Sequence, residues 1–225
     1  MDQYSASTIA AGIAGNLFAF VLFVSPMLTF RRIIRNESTE EFSGSPYVYS
    51  LMNCLICMWY GLPCVGGVVL VATVNSAGAV FQSAYVGVFI FYADQARKLR
   101  MIAMFMGVLC TFIAIVYASL EFFDPLNRKT FVGYLSAASL ISMFASPLFI
   151  INLVIRTRSV EFMPFYLSLA TTLMSLSFFV YGMLLHDFFI YIPNGIGALL
   201  GAVQLLLYGY YGGKSRERSI LQLLA

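Results

Sequence analysis

Six stretches of this chain carry no charged side chain: residues 3–30, 42–93, 101–120, 130–155, 162–186 (His186 taken as neutral) and 188–213. A helix needs about 20 apolar residues to cross a bilayer, so each run is long enough to do so. Charged residues make up only 10% of the chain, against about 25% in a soluble domain. The 42–93 run is too long for one crossing and breaks near Leu62-Pro63-Cys64-Val65-Gly66-Gly67, where proline and glycines punctuate. The expected fold is therefore an all-α membrane protein with seven transmembrane helices, over about 9–31, 46–64, 68–92, 101–121, 131–155, 164–185 and 188–211.

Lys and Arg set the expected orientation. Eleven of the 13 basic residues follow spans one, three, five and seven, and only Arg128 and Lys129 fall on the other side. The richer side is expected to be cytosolic. The N-terminus is then outside or lumenal, and the C-terminus is cytosolic. The first span reads as a membrane helix and not as a cleavable signal, because it lacks an N-terminal positive flank and Arg31-Arg32 follows it. The net charge of +3 reflects this loop bias and points to no nucleic acid. Cys54-x-x-Cys57 lacks a second ligand pair for zinc. No metal cluster or nucleotide-binding glycine loop is present, so no cofactor, pump or enzyme is expected.

The chain repeats itself. Val24-Ser25-Pro26-Met27-Leu28 recurs as Ala145-Ser146-Pro147-Leu148-Phe149, and Glu41-Phe42 recurs as Glu161-Phe162. Trp59-Tyr60-Gly61 recurs as Val180-Tyr181-Gly182, and Asn75-x-x-Gly78 as Asn194-x-x-Gly197. The offsets are 119–121 throughout. Spans one to three and five to seven therefore form two parallel three-helix repeats. Three crossings end on the side opposite their start, so a second copy of the same orientation needs one extra crossing. Span four supplies it as an inversion linker, giving a 3+1+3 order. The expected division is 1–95 for the first repeat, 96–128 for the linker helix, 129–213 for the second repeat and 214–225 for a short tail.

Asn75 and Asn194 sit about 10 and 9 Å into their spans at 1.5 Å per residue. A primary amide in apolar surroundings needs hydrogen-bond partners. Two readings fit: the amides bond neighbouring helices, or they flank a central cavity and hold a polar solute. Their repetition at matching depth favours the second. Gly197-x-x-x-Gly201 allows close helix contact. No Asp, Glu, Lys or Arg lies deep in any span. An ion-coupled carrier usually keeps one there, so passive diffusion is expected.

These features together resemble the plant SWEET sugar transporters. The likeness rests on Ser38-Thr39-Glu40-Glu41-Phe42-Ser43-Gly44-Ser45-Pro46-Tyr47, Arg158-Ser159-Val160-Glu161-Phe162-Met163-Pro164-Phe165, the two Tyr-Gly motifs and Ile192-Pro193-Asn194-Gly195. The resemblance implies that Asn75 and Asn194 hold sugar hydroxyls. It implies pocket walls at Asn53, Cys57, Met174 and Phe178, with Leu22 and Met143 completing them. It implies a hinge and inner gate at Pro26, Pro46, Pro147 and Pro164, and an outer gate at Tyr60 and Asp187. By residue type alone, Pro46 and Pro164 could equally be first-turn prolines, with Ser45 capping the helix before Pro46, and Asp187 a solvated loop carboxylate. Met143, Met174 and Phe178 make half the pocket bulky, which suits a hexose such as glucose better than a disaccharide.

The expected function is bidirectional sugar uniport by alternating access, with the lipid bilayer and further copies of the chain, a trimer by resemblance, as partners. The vacuolar membrane is favoured over the plasma membrane by resemblance. A PQ-loop-type carrier of another metabolite is the closer rival, although Pro26 precedes Met and Pro147 precedes Leu where such carriers have Pro-Gln. A seven-helix receptor would lack the repeat.

Overall fold

The computed structural model describes residues 5–224 by their backbone and side chains as far as residue 213. All regular structure among them is helical: α1 (Ala6–Val24), α2 (Met27–Asn36), α3 (Ser45–Gly61), α4 (Val69–Tyr92), α5 (Gln95–Glu121), α6 (Pro125–Ser142), α7 (Ala145–Thr157), α8 (Phe165–Leu184) and α9 (Phe188–Leu224). Taken together, α1 with α2 and α6 with α7 are each one long span interrupted once. With α4, α5, α8 and α9 they make six helices long and apolar enough to cross a membrane. The seventh span, α3, has 17 residues. The seven-helix, 3+1+3 architecture expected from the sequence is the one observed. Helix α9 also runs on through 214–224, which the sequence reading sets apart as a tail.

The interruptions follow from proline. Pro26 has no N–H for the carbonyl of Leu22, and the Ser25 hydroxyl donates to that carbonyl instead at 2.9 Å. In the second copy the helix tightens before Pro147: Met143 N–H donates to Leu140 O and Phe144 N–H to Ile141 O, both one residue short of the α pattern. Past the interruptions, α2 and α7 end on left-handed residues, Glu37 (φ 48°) and Arg158 (φ 52°). These lie 121 residues apart. Pro63 forces Leu62 into an extended conformation, which stops α3 three residues before the expected end. Gly67 (φ 72°) and His186 (φ 53°) then take matching left-handed positions before α4 and α9.

The repeat is geometric down to single contacts. A Cβ on Gly61 would lie 2.5 Å from the backbone N of Ala72, and one on Gly182 would lie 2.7 Å from the backbone N of Tyr191. The two Tyr-Gly motifs thus mark where the second and third helices of each copy bring backbone against backbone. Gly78 faces Cys54 and Phe23, and Gly197 faces their counterparts Ser175 and Phe144. In the loops after α2 and α7, the Ser38 hydroxyl takes Glu40 N–H as the Ser159 hydroxyl takes Glu161 N–H. Glu40, and not Glu41 as the Glu-Phe match suggests, is therefore the counterpart of Glu161.

The chain divides into two compact units, and the first helices are what cross the division. One unit holds residues 20–139. The other holds the chain before residue 20 and from Leu140 onward. In the 20–139 unit an aromatic cluster fixes α2. Phe30 stacks on Tyr85 at 4.4 Å between ring centroids and meets Tyr47 edge-on at 4.9 Å. The Tyr85 hydroxyl donates to Phe23 O at 2.6 Å. Linker helix α5 joins this unit at both ends. Trp59 Nε1 donates to Ser119 Oγ at 3.0 Å. Arg128 donates to the carbonyls of Ser119, Phe123 and Cys64 at 2.9, 3.2 and 3.1 Å. It thereby occupies carbonyls at and beyond the C-terminus of α5, where a cation is favoured. In the other unit α8 and α9 make the most extensive pairing.

Alanine at Gly61 or Gly182 meets backbone that cannot rotate away. Each substitution should destabilise the protein by about 1–3 kcal/mol, read as a fall in melting temperature in detergent. Alanine at Gly107, which has nothing near its Cβ position, should leave that temperature unchanged or raise it.

Candidate functional site

Each unit receives one complete set of the residues singled out in the sequence. Leu22, Asn53, Cys57 and Asn75 fall in the 20–139 unit, and Met143, Met174, Phe178 and Asn194 fall in the other. Asn75 is half-buried on α4, and Asn194 is buried on α9. Both amides do the same thing. Asn75 Nδ2 donates to Val71 O at 2.9 Å, and Asn194 Nδ2 donates to Ile190 O at 2.8 Å. Neither bonds a neighbouring helix among the described residues, which was the structural alternative. The bond to the carbonyl one turn back fixes the amide plane. It leaves the second amide hydrogen and the Oδ1 acceptor for other work. A donor beside an acceptor is what a hydroxyl, itself both, can satisfy. One turn further along each helix stand Gly78 and Gly197, which keep the adjoining surface low.

The predicted wall residues Cys57 and Phe178 each meet a first helix. Cys57 Sγ lies 3.2 Å from Ser136 Oγ on α6 and 3.7 Å from Asn53 Oδ1 one turn earlier on α3. In the other unit the Phe178 ring lies against Gly15 of α1, where an added Cβ would be 2.8 Å from the ring. Ser136 is the counterpart of Gly15, as Phe178 is of Cys57, both at offset 121. The same contact is thus built twice with different side chains, a thiol against a hydroxyl and a phenyl ring against bare backbone. Sequence reasoning missed Gly15 and Ser136. Leu22, Met143 and Met174 are half-buried.

The four prolines fall into two kinds. Pro26 sits in the gap between α1 and α2, and Pro147 is the third residue of α7 just after the second gap. Pro46 is the second residue of α3, and Pro164 is extended immediately before α8. The latter two start helices, where no intrahelical bond is lost. Gly44, not Ser45, occupies the cap position of α3. Gly44 is buried, and its Cβ position is filled by Met101 and Phe89.

Tyr60 is buried at the end of α3. Asp187 is buried too, at 6% exposure, so it is not a solvated loop carboxylate. Its Oδ1 accepts the N–H of Phe189 at 3.1 Å, which makes it the N-cap of α9. A cavity of about 240 Å³ in the 20–139 unit is walled by Phe42, Ser45, Phe89, Arg97, Arg100 and Met101. It lies at the arginine-rich end, and none of the eight predicted pocket residues lines it. The described residues hold no group of three His, Cys, Asp or Glu able to bind a metal.

Asp187→Asn keeps a capping acceptor and should hold the melting temperature near that of the parent. Asp187→Ala should cost about 1 kcal/mol. Gly15→Ala should lower stability and flux together. Phe178→Leu in the same chain should recover part of the loss, and additive losses in that double variant would show that the two positions do not touch.

Comparison with known proteins places these features in one group. A family model described as "Sugar efflux transporter for intercellular exchange" matches residues 10–97 and 130–216. The bidirectional sugar transporter SWEET2a of Oryza sativa subsp. indica is 65% identical over 211 residues, which cover 93% of this chain and 87% of that protein. SWEET2 of Arabidopsis thaliana is 59% identical over 208 residues, covering 92% and 88%. A eukaryotic SWEET transporter solved at 3.7 Å aligns with a TM-score of 0.90 at 59% identity, over 92% of this chain and 97% of that one.

Proposed function

Because this chain belongs to the SWEET family of sugar transporters, we propose that it carries a hexose such as glucose passively in either direction, with Asn75 and Asn194 holding the sugar hydroxyls. It is a sugar transporter and not an enzyme, and the receptor and PQ-loop alternatives fall with that assignment. One observation supports the two asparagines most. Counterpart amides in the two copies each spend one N–H on their own helix and keep an acceptor and a donor in hand. Neutral hydrogen bonds of this kind contribute about 1 kcal/mol each. That suits millimolar affinity, about −4 kcal/mol, and fast release.

Uniport follows from where the charges are. Asp94 and Asp187 cap α5 and α9 at helix ends, Glu121 is the last residue of α5, and residues 101–120 and 188–213 carry no charged side chain. The spans therefore hold no group to carry a coupled proton. Pro26 and Pro147, at the two interruptions, act as hinges, and Pro46 and Pro164 join them at the inner gate. Tyr60 and Asp187 serve the outer gate. The repeats are residues 1–95 and 129–213, with 96–128 as linker and 214–225 as tail. The arginine-rich end is cytosolic, the protein assembles as a homo-oligomer, a trimer on the family pattern, and the vacuolar membrane is its site.

Radiotracer flux in proteoliposomes tests this reading with glucose, fructose, galactose and sucrose. A hexose should outpace sucrose, since Met143, Met174 and Phe178 restrict one wall. Comparable uptake of glucose and sucrose would defeat the hexose assignment. Asn75→Ala and Asn194→Ala should each lower flux at limiting sugar about fivefold or more, one hydrogen bond being worth about that factor. Collapsing a proton or sodium gradient should leave uptake unchanged.

A further inference from the structure

The two copies are not equally free at their interruptions. Beyond Pro26, the Glu40 carboxylate of the loop following α2 takes two bonds from the Arg32 guanidinium, at 2.6 and 3.1 Å, and one from Asn36 Nδ2 at 2.6 Å. Both donors are on α2. The backbone of the same loop is gripped from α5. Arg97 Nη1 donates to the Glu40 carbonyl, and to Thr39 Oγ1 at 3.3 Å, while its Nε pairs with Asp94 at 3.0 Å. Glu40 holds a left-handed conformation (φ 45°) to do this, and Thr39 beneath it is buried. The chain of contacts runs from α2 through one loop to the linker helix.

The second copy has the loop but not the donors that α2 supplies. Arg32 and Asn36 correspond to Leu153 and Thr157, and the hydroxyl of Thr157 turns back to Leu153 O at 2.8 Å. Glu161, the counterpart of Glu40, is exposed. The position of Arg97 falls in the second copy on Arg218, whose side chain lies outside the described residues. The aromatic cluster is missing as well, since Phe30 and Tyr85 correspond to Ile151 and Gln204.

We propose that Glu40 is a positioning residue that fastens α2 to linker helix α5, so that α2 does not swing about the Pro26 interruption. Bending at the arginine-rich end is then left to α7. The bidentate pair with Arg32 gives the tie its direction, and the grip of Arg97 on the loop backbone gives it an anchor. Arg32, and secondarily Asn36, hold the Glu40 carboxyl below the usual carboxylate range. A depressed value means the ionised, bonded form is fully favoured above the ordinary carboxylate pKa and is lost only as pH falls through the lower folded value. Cytosol-like pH therefore leaves the tie intact.

Spin-label distance measurements in nanodiscs test this without any sugar. The exposed Cys64 and Cys110 are replaced by serine, and labels are placed on cysteines introduced at Ile34 and Leu99, on α2 and α5. A second pair uses Ile155 and Leu206, on α7 and α9, and a control pair uses Leu176 and Leu199, on α8 and α9. All six positions are exposed. The α2–α5 distribution should be at least twofold narrower than the α7–α9 one. Glu40→Ala should widen it at least twofold, Glu40→Gln should fall between, and the control pair should not change. Equal widths in the two copies, no response to Glu40→Ala, or widening of the control pair in step would each overturn the proposal. A second readout is the ratio of equilibrium-exchange to zero-trans glucose flux, which does not depend on the fraction of folded protein. It should change at least twofold in Glu40→Ala, and an unchanged ratio beside a widened α2–α5 distance would remove the tie from the transport cycle.

Discussion

In a bilayer, no backbone N–H or carbonyl can be left for water to satisfy, and the rest of this structure answers to that constraint. It makes every span a helix. It also makes every departure from a helix something the local sequence must repair. At Pro26 the repair is a serine hydroxyl on the orphaned carbonyl. Before Pro147 it is a tightened turn. At the end of α5 it is the guanidinium of Arg128. At the start of α9 it is the carboxylate of Asp187. The same constraint explains why Asn75 and Asn194 both reach back to their own helices. A bond to the carbonyl one turn back satisfies one amide hydrogen and fixes the orientation of the amide.

Close helix contact comes second, because lipid offers little hydrophobic reward for packing apolar side chains together. The gain must come from fit. Glycines at 61, 182, 78 and 197 let second and third helices approach until side chain or backbone of one fills the Cβ position of the other. This is why the Tyr-Gly and Asn-x-x-Gly landmarks recur at a constant offset. They are where geometry tolerates the least change.

That also decides what was legible in the sequence. Long uncharged runs showed the spans, and constant offsets showed the duplication, because both record constraints local to a segment. Three things were not legible. The end of α3 at Gly61 depends on how Pro63 restrains Leu62, which a hydropathy run through residue 64 does not show. The register of the loop after α7 looked one residue off, because Glu-Phe recurs at offset 120 while the hydrogen-bonded turn repeats at 121. The partners of Cys57 and Phe178 lie on helices far away in sequence, Ser136 on α6 and Gly15 on α1. Neither serine nor glycine carries a mark that distinguishes it from ordinary packing. The candidate site itself was half visible: its residue types could be named, but not what each already touches.

The duplication also frames what differs between the copies. Two equal halves would have equal reason to bend at their interruptions, and nothing in the repeat alone would choose between them. The linker helix breaks that tie, since it packs on α3 and α4 of the first copy. Needed at first to restore the direction of the chain, it carries Arg97 at one end and meets Arg128 of α6 at the other. There they bond backbone carbonyls of the loop after α2 and of the segments around α5. A crossing required by topology has thereby become a brace. Its cost is an asymmetry: where α2 carries Arg32, α7 carries Leu153, which cannot pair with a carboxylate.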